Sequence, residues 1–477
     1  MTRRSFTTNA CPVDGRWMRR KRCSSVFLGY CCSLGFACFL WTLHGIAGIA
    51  FGASATRPSS LAISARVSRR SATQKVRTAL SAMEGLEAAH ASLSNVAALP
   101  AGFHDSLSVV VAFADQGQNI NGILFQASLP AYILFLYFLS YRKNNTPPLV
   151  QFGFAFLLVF VILTIPSGIL SKSSFGLILA DCDWVHGAAE SLLTCTNIML
   201  VLGFRAALMG DTAMVDSFAV RVTSGLWLAV VVATLAAGIP IFGAGAHTPF
   251  LSGFGALPSG MVPATEPVNA LSIPNWMVHF STVFEFLIAM SLAWRYAEAS
   301  GNPKWKGLTW GMLPSHASSV AALTFHVFYN SIPWILTVQA GCTFVGNATL
   351  AIATYRIAAS NGWTISELNP FGGAETRDEE DSGDAAFDVT RLKTESSTTS
   401  DLIPGPLLFA EVLLLTVAAS FLTKYGELIL APDLFQSASS ASSIAAGLIV
   451  VTPPLLVVGT LIAQSKDIQA QLKAPAS

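Results

Sequence analysis

LVQFGFAFLLVFVILTIPSGIL, residues 149–170, runs for 22 residues without a charged side chain. As a helix rising 1.5 Å per residue it would be about 33 Å long, enough to cross a ~30 Å hydrocarbon layer. Similar runs recur along the chain, and 52% of its 477 residues are apolar against 12% charged. This is the composition of an all-α, polytopic membrane helix bundle, and it excludes a soluble globule.

Outward from that stretch, nine candidate spans are expected, at about 121–141, 149–170, 184–204, 223–243, 274–297, 308–328, 334–357, 404–423 and 442–464. Loop charge supports the count. If every span crosses, one side carries 13 basic residues and the other only Lys172 and Lys424. The positive-inside rule then puts the mature amino end in the lumen and the carboxyl end in the stroma.

The first 83 residues are of another kind, with 13 Lys/Arg and a single acid, Asp14. Residues 1–55 combine a basic start, an apolar run and Ala53-Ser54-Ala55, which reads as a secretory signal. Residues 56–83 are rich in Arg, Ser and Ala and have no acid, which reads as a plastid transit peptide. Together they address the protein to the thylakoid or envelope membrane of an alga with a complex plastid; the competing reading is a retained first helix with a basic tail. Cys182, Cys195 and Cys342 are the cysteines that remain after the leader, and they form neither a CxxC pair nor a zinc spacing.

The rest of the chain divides into an amino-terminal lumenal segment (84–120), a four-span domain (121–243), a Gly/Pro-rich lumenal loop (244–273), a three-span domain (274–359), an acidic stromal loop (360–403) and two final spans with a tail (404–477). The acidic loop has ten acids against three bases between Glu367 and Asp401, the composition of a disordered tether. In the last span, the Pro453-Pro454 pair should kink the helix.

The third span opens with DCDWVHGAAESLLTCTN, residues 181–197. At 3.6 residues per turn Asp183, His186, Glu190, Thr194 and Asn197 share one stripe. Span five begins in the same leaflet with Asn275, Trp276, His279 and Thr282, followed by Glu285, and span six ends there with His326 and Asn330. Asp183 could simply cap its helix, and a lone histidine at a helix end is commonly interfacial. Glu190 and Glu285 weigh more, because an ionisable group inside lipid costs at least ~2.5–3.5 kcal/mol and should face a cavity or a partner. The expected site therefore has His186, Glu190, His279, Glu285, His326 and Asp183 in catalytic roles, with Trp184, Asn197, Asn275, Trp276 and Asn330 binding substrate; helix-to-helix glue is the plainer alternative.

Histidine beside glutamate is an acid/base pair, which suits isomerisation or another proton transfer on a hydrophobic molecule. His186 and His279 could instead ligate a haem b iron; no other metal site is read from the spacing. The chain has no glycine-rich dinucleotide loop and no phosphate loop. His316 lies toward the other end of span six and stands outside the set, and His247 is at most a loop contributor.

ALSIPNWMVHFSTVFEF, WRYAEASGNPKWKGLTWGMLP, FHVFYN and LTVQAGCTFVGNATL, within residues 270–363, resemble the uncharacterised cyanobacterial and plastid membrane family once named hypothetical chloroplast reading frame forty-nine. SLPAYILFLYFLSY, TPPLVQFGFAFLLVFV and LADCDWVHGAAESLLTCTNIMLVLGF, within 121–206, resemble a second uncharacterised family of the same distribution. The resemblance implies a photosynthetic membrane and supplies no reaction. The expectation is a plastid-membrane enzyme acting on a carotenoid (xanthophyll), or less readily on a quinone or tetrapyrrole. The alternative is a non-enzymatic assembly factor for a photosynthetic complex, with complex subunits as partners. Membrane lipid is a partner under either reading, and nucleic acid under neither.

Overall fold

A computed structural model describes residues 120–237, 266–368 and 402–473. The leader, the amino-terminal segment, most of the Gly/Pro-rich loop and most of the acidic loop lie outside the described residues, and so do the expectations attached to them.

Among the described residues there is no strand, and nine long helices follow one another: α1 (Ile120–Leu139), α2 (Pro148–Phe175), α3 (Asp183–Met209), α4 (Phe218–Ala237), α5 (Ile273–Ala299), α6 (Lys306–Val327), α7 (Pro333–Ser360), α8 (Gly405–Leu430) and α9 (Ser440–Lys473). The protein is a multi-pass membrane helix bundle. Four of the helices, α2, α5, α7 and α8, have proline in their first turn, where the missing N–H would have had no partner and the fixed φ suits a helix start.

Each expected span falls on one helix, with three instructive differences. The fourth begins earlier than expected, at Phe218 rather than near residue 223. The last runs from Ser440 to Lys473, past its expected end near residue 464. The third concerns α6. Eight segments, among the described residues, are long and apolar enough to cross a membrane, and α6 is the one long helix without such a segment. It packs against α5, α7 and α9, so protein replaces lipid around much of it and Thr309, His316, Ser318, Thr324 and His326 are buried. A helix enclosed in this way need not be apolar all round.

The middle of the bundle is α3, α5 and α6, with α3 against α5 and α5 against α6; α2 and α4 flank α3, α8 flanks α5, and α1 packs on α7. Small residues allow the close approaches: a Cβ on Gly346 of α7 would lie 2.8 Å from the Ser315 backbone nitrogen of α6. Lys424 corrects the loop-charge count. Helix α8 runs beyond residue 423, and Lys424 is 2% exposed, paired with Glu266 and donating to the Leu271 carbonyl oxygen at 2.8 Å. It is an internal charge rather than a loop charge.

Candidate functional site

Helices α3 and α5 start side by side and run parallel, and a ladder of polar contacts fixes their register. At the bottom rung the Asp183 carboxylate accepts from the Ser272 backbone N–H at 2.8 Å and from the Asn275 side-chain amide at 3.1 Å. The same amide also donates to the Asp183 carbonyl oxygen at 2.9 Å. Asp183 therefore caps the start of the neighbouring helix, where N–H groups lack intrahelical partners. Gly187 makes this possible, since a Cβ there would stand 3.1 Å from Asn275 Cγ. Higher up, the Thr194 hydroxyl lies 3.4 Å from that of Ser281 and 3.3 Å from that of Thr282, and the Asn197 amide donates to the Thr282 carbonyl oxygen at 3.2 Å.

Between these rungs the histidines meet. His186 Nε2 is 3.1 Å from His279 Nε2, and His326 arrives from the end of α6 to complete a triangle with ring centroids 5.0, 5.0 and 4.7 Å apart. All three are buried, and one ligand atom from each lies within 4.8 Å of the others. His279 Nδ1 is 2.9 Å from the Asn275 carbonyl oxygen, which can only accept. Nδ1 therefore carries the proton and the Nε2 lone pair points into the triangle. The Nδ1 atoms of His186 and His326 are buried without a hydrogen-bond partner, each a deficit of about 1–3 kcal/mol.

The third histidine is held by strained backbone. Just past α6, Tyr329 and Asn330 have φ of 45° and 60°, a left-handed conformation that costs non-glycine residues roughly 1–3 kcal/mol each. Asparagines hold the turn in place. The Asn269 amide donates to the Tyr329 carbonyl oxygen at 2.6 Å, and the Asn330 amide donates to Asp181 Oδ1 at 2.7 Å and to the Ala180 carbonyl oxygen at 3.1 Å. The approach to α3 and the end of α6 are thereby tied together four residues beyond His326.

Not every expected site residue gathers here. Asp183, Asn275 and Asn330 brace the histidines, and Asn197 joins α3 to α5 further along. Trp184 packs with Cys182, Val185, Leu170, Phe175 and Leu179 against the end of α2, and Trp276 stacks in series with Phe280 and Phe284; both rings belong to apolar clusters. Glu190 lies one turn beyond His186 and is half-buried, and Glu285 is buried with Oε2 unpartnered. No hydrogen bond among the described residues joins either carboxylate to the histidines. Sequence reasoning missed Asn269 and Glu266, because a polar residue in a loop carries no periodic signal.

The haem expectation does not fit. A porphyrin would have to pass between two nitrogens 3.1 Å apart, through space that the His326 ring occupies. Spacing offered no other metal site, yet His186, His279 and His326 form a group that could hold an ion. The donors come from three helices, 47 or more residues apart in sequence, so no short spacing could reveal them.

Comparison with known proteins matches residues 270–356 to a family described as a protein of unknown function (DUF2499) and residues 121–209 to another so described (DUF3593). A Ycf49-like protein from Synechocystis sp. (strain ATCC 27184 / PCC 6803 / Kazusa) is 46% identical over 92 residues, 88% of that protein and 19% of this chain. No solved structure matches. The triangle draws on both matched regions: His186 lies in the one containing α3, and His279 and His326 in the one containing α5 and α6.

Proposed function

Because the chain belongs to the Ycf49-like family, we propose that it is an integral plastid-membrane enzyme that transfers protons on a long hydrophobic plastid molecule. A xanthophyll-type carotenoid undergoing isomerisation is the first choice of substrate. One observation carries the reading: three buried imidazoles converge from three helices, and two of them are 3.1 Å apart. A neutral imidazole offers both a donor and an acceptor nitrogen, so adjoining rings can pass a proton along. A site enclosed by membrane helices selects a substrate that already resides in the bilayer. The basic loops support a stromal location for the opposite end of the bundle, which would put the histidines in the lumenal leaflet. The leader supports a complex plastid, and the Synechocystis relative supports a photosynthetic membrane.

The test is the pigment and quinone profile of a null mutant. We expect one end product to be missing and its precursor to accumulate. Loss of a whole photosynthetic complex with normal pigment chemistry would overturn the proposal in favour of an assembly factor. In the same background, Glu190→Gln and Glu285→Gln are expected to lower product formation by about a hundredfold or more, the usual range for an acid/base group. Full complementation by the double variant would remove both carboxylates from the site.

A further inference from the structure

We infer that His186, His279 and His326 together bind one divalent first-row transition-metal ion, zinc being the best fit, with a fourth position open to an oxygen ligand. The inference rests on reading the triangle as a reaction centre and changes the part the rings play in it: with an ion bound they would be ligands, and the proton would be handled at the open fourth position and by Glu190 and Glu285.

Donor chemistry selects the ion class. The triangle offers imidazole nitrogen alone, which suits zinc and its neighbours, whereas magnesium and calcium take oxygen and copper(I) takes sulfur. Three protein ligands with an open fourth position is the pattern of catalytic zinc, as against the closed four-ligand pattern of structural zinc. The distances agree. Tetrahedral bonds of ~2.0–2.1 Å separate ligand atoms by about 3.3–3.4 Å. The His186 and His279 nitrogens are already 3.1 Å apart, and the third donor, within 4.8 Å, has to move in to complete the set.

The surroundings are those of a ligand set. A metal-bound histidine usually donates its other N–H to a carbonyl or a carboxylate, which fixes its tautomer. His279 does so to the Asn275 carbonyl oxygen at 2.9 Å, and the Asn275 side chain is held by Asp183 at 3.1 Å. With His186 and His326 in the same tautomer as His279, three lone pairs face one buried space, and the rings make a single contact of hydrogen-bond length among themselves. A cation accepts those lone pairs. Its charge needs balance inside a membrane, and Glu190 and Glu285 stand on the same two helices, about 6 Å and 9 Å along from His186 and His279, with Glu285 Oε2 unpartnered. His316 shows that burial alone does not make a site. It is equally enclosed in α6, and its Nδ1 also lacks a partner, yet it has no place in the triangle.

The experiment uses the full chain purified in detergent, stripped with a chelator and titrated with Zn2+ and Co2+. Expected are one ion per chain by elemental analysis and the intense visible bands of four-coordinate Co2+. His186→Ala, His279→Ala and His326→Ala should each lower retained metal at least tenfold, while His316→Ala keeps it. Wild-type protein that is folded by thermal melting and takes up no ion would overturn the inference without recourse to any variant. Equal metal in wild type and all three triangle variants would do the same. The proposed reaction fails separately: bound metal with an unchanged pigment profile in the null mutant overturns the reaction and leaves the ion, and a missing product from metal-free protein does the reverse.

Discussion

Helices α3, α5 and α6 pass through both ends of the bundle and are held differently at each. At the end where α6 begins, Phe204, Tyr296 and Trp305 pack ring against ring, with centroids 4.9 to 6.4 Å apart. At the other end the same helices meet through Asp183, Asn275, three histidines and a strained turn. Polar contacts join the aromatic end as well, Thr309 donating to the Met290 carbonyl oxygen at 3.0 Å and Lys306 pairing with Glu298 at 3.1 Å, and each of them is paired. Buried polar groups inside a membrane cost free energy unless fully paired, and at the histidine end several remain unpaired. A site would leave such groups free for a ligand, whereas glue would pair them.

The largest effect is expected at the aromatic end. Trp305 is 1% exposed, and Trp305→Ala should lower stability by roughly 3 kcal/mol, the low end of the range in water, because lipid solvates apolar groups in the unfolded reference. Detergent-driven unfolding measures it. The same variant should still bind metal at wild-type stoichiometry, and loss of metal would show that the two ends are one cooperative structure. Asp183→Ala comes next, at about 2 kcal/mol, since it leaves the Ser272 N–H and the Asn275 amide with fewer acceptors in a buried place. Here metal should be lost along with stability. Asp183→Asn, which keeps one acceptor oxygen, should recover part of both.

The aromatic end was the less legible of the two in the sequence, although it is the more ordinary. Apolar run length marked out the long helices, but inside such a run Phe204 looks like any other lipid-facing residue, and Trp305, between Lys304 and Lys306, falls in an expected loop. The histidine end stood out because charge is rare in a membrane helix, and the 3.6 period put Asp183, His186 and Glu190 on one face. Sequence could not show that Asp183 caps the neighbouring helix, or that Trp184 turns toward α2, because both depend on how close two helices come. Nor could it show three histidines meeting at one point. Depth in the bilayer can be counted along each helix; rotation about each helix axis is set by packing.

Gly187→Ala sharpens the comparison with a smaller change. A methyl group 3.1 Å from Asn275 must displace that side chain or push α3 from α5, at a cost of roughly 1 kcal/mol. Metal affinity should fall further than so small a loss of stability would suggest, because Asn275 orients His279. A change in stability without a change in affinity would detach Asn275 from the site.

The mildest test alters pH and leaves the wild-type chain intact. Cys182 precedes α3, outside the spans, and burial pushes its thiol up to about 11. The thiol's contribution to stability is fully present below the ordinary thiol range near ~8.5 and is lost as pH rises through that folded value. Since only the thiolate reacts with alkylating reagents, labelling at neutral pH must pass through an opening of the start of α3. Asp183 clamps that start to α5, so Asp183→Ala should speed labelling of the Cys182 peptide, read by mass, by about tenfold for each 1.4 kcal/mol removed from the opening cost. Trp305→Ala, despite its larger effect on overall stability, should leave the rate within threefold of wild type. If both variants speed labelling in proportion to their loss of stability, Cys182 is exposed only by global unfolding, and the histidine end is no more separable than the aromatic one. If Asp183→Ala alone does so, the polar end opens by itself, as a site that must admit a substrate from the bilayer requires.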